Sequence, residues 1–140
     1  MSQENVEIVR HAFDALNRGD ADAIAAVSDH DVELISVLSA VEERAYRGQD
    51  SWGTYLRLMN ETWSEWRFED VEIFEVDEET AAAVYRVVGR GKRSGAPVEH
   101  PIGATVRFRN GKLWRIRNYL DPREALEAVG LSKQDAHADS

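Results

Sequence analysis

Four polar side chains within strand-like stretches of this sequence are candidates for chemistry: Glu33, Tyr85, His100 and Asn118. An imidazole gains and loses a proton near neutral pH, so His100 can work as an acid or a base. Its competing role is that of a strand-end histidine, hydrogen-bonded to backbone beside Pro101. Tyr85 can donate a hydrogen bond to a substrate oxygen, or bury its ring and send the hydroxyl to water. Asn118 can hold a carbonyl or a water, or satisfy a backbone group at the bent end of its strand. Glu33 offers a base whose charge burial would disfavour, or else a salt bridge to Arg47 or Arg44. Asp121 is followed by Pro122 and then by Glu124, which reads as a helix cap rather than a catalytic carboxylate.

Several other chemistries find no support. The chain has no cysteine, so disulfides, thiolate metal sites and a cysteine nucleophile are excluded. His11, His30, His100 and His137 share no ligand spacing, and there is no phosphate-binding loop or nucleophile elbow. No metal or cofactor is expected. A net charge of −9 and a pI near 4.9 argue against nucleic acid and anionic membranes as partners. The basic residues Arg86, Arg90, Lys92, Arg107, Arg109, Arg115 and Arg117 nevertheless share one strand parity. The acidic segment 69–79 offers them cross-strand ion pairs, and a dimer interface is the other place they could serve. The N-terminus lacks the basic and apolar regions of a signal peptide. No run approaches the roughly 20 apolar residues of a membrane span. The expected location is the cytoplasm.

These residues need a scaffold, and the pattern supplies one. Val6, Val9, Phe13 and Leu16 recur at helical spacing after Ser2. Gly19 ends that helix and Asp20 caps a short second one over Ala21–Val27. A strand follows at 32–38, then a polar loop at 39–50. Trp52, Tyr55, Met59 and Trp63 mark a third helix. Residues 67–76 return to strand, with a bulge near Glu69-Asp70 where the apolar parity shifts. Residues 79–120 hold three strand-like runs separated by Gly-containing turns, an antiparallel meander. A last short helix starts at Pro122 and stops at Gly130. The order ααβαββββα gives an α+β domain over residues 1–131, its helices on one face of a curved sheet. Residues 132–140 read as a flexible tail.

Asn17-Arg-Gly-Asp after the first helix, Tyr46-Arg-Gly before the third, and Val106-Arg-Phe-Arg-Asn-Gly-Lys in the final hairpin resemble the nuclear transport factor 2-like superfamily. The ending Arg117-Asn-Tyr-Leu-Asp-Pro-Arg-Glu resembles its SnoaL-like, polyketide-cyclase-like branch. The resemblance implies a cone-shaped, strongly bent, mainly antiparallel sheet of cystatin-like type closed by the N-terminal helices. It also implies a hydrophobic pocket for a small molecule and a homodimer made through the outer sheet face. Activities in the superfamily range from isomerases, cyclases and hydrolases to pure binding modules. Ketosteroid isomerases within it use a Tyr and two Asp. Those places fall on Ala12, Ile35 and Ala104 here, so that mechanism is disfavoured.

The same anchoring points position 104 inward and sets the parity of its neighbours. His100, Ile102 and Val106 then face the pocket, with Tyr85 and Val87 beside them. Across Asn110-Gly111, Trp114, Ile116 and Asn118 join the lining. Ile35 brings Glu33 and Val37 with it on the first strand. Phe13, Trp52, Tyr55 and Met59 close the pocket from the helices. Two functions remain open: cofactor-free acid/base chemistry on a small oxygen-bearing hydrophobic molecule, with His100 carrying the proton, or a non-catalytic ligand-binding or interaction module.

Overall fold

The computed structural model describes residues 2–36 and 44–131. The chain opens with α1 (Ser2–Arg18), whose Val9, Ala12, Phe13 and Leu16 form one buried face. Gly19 adopts a positive φ of 70° that an L side chain rarely takes, and so turns the chain sharply. Asp20 then caps α2 (Ala21–Ala26) by accepting from the Ala23 amide at 3.1 Å. Strands β1 (Ser28–Ser36) and β2 (Arg44–Arg47) precede α3 (Ser51–Thr62). β3 (Trp63–Asp77), β4 (Thr80–Gly91), β5 (Pro97–Arg109) and β6 (Lys112–Tyr119) follow, and α4 (Pro122–Ala128) closes the fold. The expected order holds with one addition. The loop expected at 39–50 contains β2, which pairs antiparallel with β1 through Glu33↔Arg47 and Leu34↔Tyr46. The tail expected at 132–140 lies outside the described residues.

The six strands form one curved sheet in the order β2-β1-β6-β5-β4-β3, antiparallel except where β1 meets β6. Its inner face carries α1, α2 and α3, and this is where the main core lies. β4 presents Ala81, Ala83, Tyr85 and Val87 to that core, and β5 presents Ile102, Ala104, Val106 and Phe108. β3 bulges opposite Tyr85: its register jumps between Glu69 and Glu72, and Asp70 takes a φ of 54°. The sequence placed this bulge correctly.

α4 departs from the one-sided arrangement. It packs on the outer face, where Ala82 and Leu126 make a small second core with Phe74, Val84 and Val129. Gly103 makes this approach possible, since a Cβ there would sit 2.6 Å from Ala125 Cβ and 2.9 Å from Pro122 Cα. Asp121 accepts from the Arg123 amide at 2.9 Å and so caps α4, as its sequence context indicated. Among the described residues no helix is long and apolar enough to cross a membrane.

Candidate functional site

The inner face encloses a cavity of about 40 Å³ between α1, α3 and the sheet. Helical walls come from Phe13, Leu16, Trp52 and Tyr55, and the floor from Leu34, Ala104, Val106 and Ile116. Tyr85 on β4 and Asn118 on β6 bring polar groups into this lining, beside Tyr55 and Trp52, whose polar atoms are bonded to Ser36 and Ser28. Asn118 Nδ2 donates to the Tyr85 hydroxyl at 3.1 Å, and both residues are buried. Asn118 Oδ1 is buried with no hydrogen-bond partner. Turning the amide over would only exchange the roles, because one bond would still leave amide hydrogen-bonding capacity unused.

The Tyr85 ring is fixed by neighbours. Phe13 meets it at a centroid distance of 4.7 Å and Phe68 at 5.1 Å, both tilted toward edge-on geometry. Burial, followed by the nearby Tyr55, pushes its phenol well above the ordinary value, against a smaller opposing effect of the Asn118 hydrogen bond. Burial likewise raises Tyr55, whose hydroxyl is hydrogen-bonded to Ser36. Both phenols therefore stay protonated at neutral pH and can donate but not act as bases. Trp52 is anchored through its indole N–H, which donates to Ser28 Oγ at 2.9 Å.

Of the four polar candidates, the fold brings together Tyr85 and Asn118 and leaves out the other two. His100 is exposed near the start of β5, and its Nδ1–H donates to the Pro101 carbonyl at 2.6 Å. It does not line the cavity. Glu33 points to the outer side and pairs with Arg47 at 3.0 Å. β1 runs in the parity opposite to the expected one, so Val32, Leu34 and Ser36 are buried while Glu33 and Ile35 lie on the other face. A shift of one residue moves every side chain of a strand across the sheet. The expected Val37 lies outside the described residues.

Trp114 is also corrected. Phe108 pairs with Leu113 but Arg107 pairs with Arg115, so Trp114 is an extra residue on β6 and turns outward. Leu113 takes its place at the cavity. The signal was present, because Leu113 and Ile116 are three apart and cannot both face inward on a regular strand. Met59, Val87 and Ile102 are buried in the core beside the cavity without lining it. Phe68 and Val9 are lining residues that the sequence reading missed.

The profile of the SnoaL-like domain matches residues 9–116. The chain belongs to the SnoaL-like family. Among solved structures, a polyketide-cyclase-like protein from Xanthomonas campestris pv. campestris is 25% identical, with a TM-score of 0.75 over 92% of this chain and 98% of that one. A nuclear transport factor 2-like protein from Burkholderia xenovorans LB400 is 29% identical, with a TM-score of 0.73 over 92% and 97%. A polyketide-cyclase-like protein from Pseudomonas putida KT2440, at 24% identity, shares the fold with a TM-score of 0.69 over 82% and 90%. No protein of curated function matches. Among the described residues of this SnoaL-like chain, no group of three or more His, Asp or Glu could hold a metal ion.

Proposed function

We propose that this chain binds a small, uncharged, oxygen-bearing apolar molecule and orients it by hydrogen bonding to Tyr85 and Asn118. The observation that carries this reading is the partnerless Asn118 Oδ1, buried in an otherwise apolar cavity. An unpaired buried polar atom costs about 1–3 kcal/mol, and a ligand hydroxyl would offset that cost. The Tyr85 proton would go to a ligand carbonyl or ether oxygen. No cation lines the cavity, so carboxylates and phosphates would enter without compensation for lost water.

The enclosed volume of about 40 Å³ is room for water, whereas drug-sized ligands occupy roughly 300 Å³ or more. Binding therefore requires side chains such as Phe13 or Trp52 to swing aside. Within the family's range of activities, the absence of a base among the lining residues favours the binding module over proton-transfer catalysis. A catalytic version would have Tyr85 polarise a carbonyl, with the base supplied by the ligand itself.

The test uses phenol, cyclohexanone and toluene as probes, read by ligand-observed NMR. Phenol and cyclohexanone should bind about three- to tenfold more tightly than toluene, the worth of one net hydrogen bond. The double variant Tyr85→Phe/Asn118→Leu should bring the three probes to parity. A wild-type protein that does not distinguish phenol from toluene rules this reading out.

A further inference from the structure

The hydrogen-bonding capacity of the Tyr85–Asn118 pair can be counted atom by atom. Asn118 Nδ2 donates to the Tyr85 hydroxyl at 3.1 Å, and Asn118 Oδ1 has no partner. The Tyr85 oxygen has accepted that bond, and its own proton is not used by Asn118. The pair therefore shows the cavity a donor, the Tyr85 O–H, and beside it an acceptor, Asn118 Oδ1. Turning the amide over gives the same outcome. The Tyr85 proton would then go to Oδ1, leaving the Asn118 N–H groups as donors and the Tyr85 oxygen as acceptor. Either way a donor and an acceptor stand side by side. The other polar groups of the lining are taken, Tyr55 by Ser36 and the Trp52 indole by Ser28. The pair is also held in place and left open. Phe13 and Phe68 pack against the Tyr85 ring, and Asn118 lies across from Ala104, a lining residue too small to close over the amide.

We infer that, given the binding function proposed above, the ligand is recognised through a cis amide edge, the adjacent C=O and N–H of a lactam-like ring. Its carbonyl accepts from one member of the pair and its N–H donates to the other, so both open positions close at once. Other groups match less well. A ketone or ether closes the donor alone and leaves a buried acceptor unpaired. A carboxylic acid has the right edge but ionises below neutral pH, and a carboxylate brings two acceptors and no donor to a cavity that no cation lines. An enolised diketone spends its donor and its acceptor on each other. A hydroxyl can serve both groups through one oxygen, but it must freeze its rotor to do so. A lactam holds the two atoms in one plane beforehand, which lowers the entropy lost on binding. A flat ring also suits walls built from Phe13, Trp52 and Tyr55.

Ligand-observed NMR with probes of one ring size tests this: δ-valerolactam, N-methyl-δ-valerolactam, cyclohexanone and cyclohexanol, with toluene as the apolar reference. δ-Valerolactam should bind about three- to tenfold more tightly than its N-methyl form or cyclohexanone, the worth of the second hydrogen bond. It should also bind more tightly than cyclohexanol. In Asn118→Leu the advantage over the N-methyl form should vanish. In two-dimensional NMR of labelled wild-type protein, the Asn118 side-chain amide signals, identified by their absence from Asn118→Leu, should shift with δ-valerolactam. Equal affinity of wild type for δ-valerolactam and its N-methyl form overturns the inference, and this comparison does not depend on the variant folding. Tighter binding of cyclohexanol overturns it too and would assign the pair to an alcohol. If cyclohexanone outbinds toluene while δ-valerolactam gains nothing over its N-methyl form, the binding function stands and the lactam class falls. If no oxygenated probe outbinds toluene, the binding function itself falls.

Discussion

On the inner face of the sheet, Tyr85 and Asn118 share one hydrogen bond and carry no charge. On the outer face of the same strand, Arg86 alone engages Glu69, Asp70 and Glu99. The difference follows from water. Outside, a carboxylate or guanidinium that loses its partner is resolvated, so the ion pairs are interchangeable and each contributes little. Inside, a charge would need its own buried counterion, and even a neutral amide must account for each lone pair. The inner face accordingly tolerates few polar groups, and the pair it keeps is incompletely satisfied. In an enclosed apolar cavity that combination points to a ligand, whereas the many charges outside mostly neutralise one another.

The largest effect that can test this contrast comes from the rings around Tyr85. Phe68 is buried and packs against Phe13, Tyr85 and Trp66. Phe68→Ala should lower unfolding free energy by about 3–5 kcal/mol. Trp114→Ala, on the outer face, should cost about 1 kcal/mol or less. Urea denaturation of the two variants decides it, and similar losses would erase the distinction between a packed interior and a tolerant exterior.

A finer test concerns the pair itself. Tyr85→Phe leaves the Asn118 amide without its one partner and should cost about 1–3 kcal/mol. Replacing both, as Tyr85→Phe/Asn118→Leu, removes the polar atoms of the pair together and should leave the protein as stable as wild type or about 1 kcal/mol more so. The two substitutions would then be strongly non-additive, which a double-mutant cycle by thermal unfolding measures directly. A more stable protein that has lost its preference for oxygenated probes would show that Asn118 is kept for binding at the expense of stability. Additive losses would instead make the pair an ordinary part of the core.

How far the sequence could disclose this site depended on strand parity. Turns and caps were legible because Gly19, Asp20, Asn110-Gly111 and Asp121-Pro122 each perform one local task. The inward sets of β4 and β5 were largely legible from alternation, and Tyr85 was found that way; Asn118 on β6 was found by pairing across the Asn110-Gly111 turn. Two strands misled. On β1, one residue of offset exchanged Glu33 and Ile35 for Leu34 and Ser36. On β6, the bulge preserved Ile116 and Asn118 but reversed Trp114. His100 fell on the inward parity by its pairing with Val87, yet its side chain is exposed while Val87 is buried. Parity assigns a face, and only the packing of other elements decides whether that face is covered.

The smallest effect separates two arginines of the outer face. Arg86→Ala breaks contacts to three acidic side chains, of which Glu69 keeps only Arg67 at 3.4 Å. It should lower stability by about 0.5–1 kcal/mol at low ionic strength. Arg107→Ala removes a charge that faces Arg115 and, among the described residues, meets no carboxylate. Its loss of contact with the Trp114 indole and its relief of repulsion oppose each other, so stability should change by no more than a few tenths of a kcal/mol. Salt provides the internal control. Screening should shrink the Arg86 effect, while Arg107→Ala stays near zero or shifts slightly toward destabilisation as the repulsion it relieves is screened. Equal losses for both variants would mean that Arg107 has a structural partner after all, and the outer face would be uniform rather than divided.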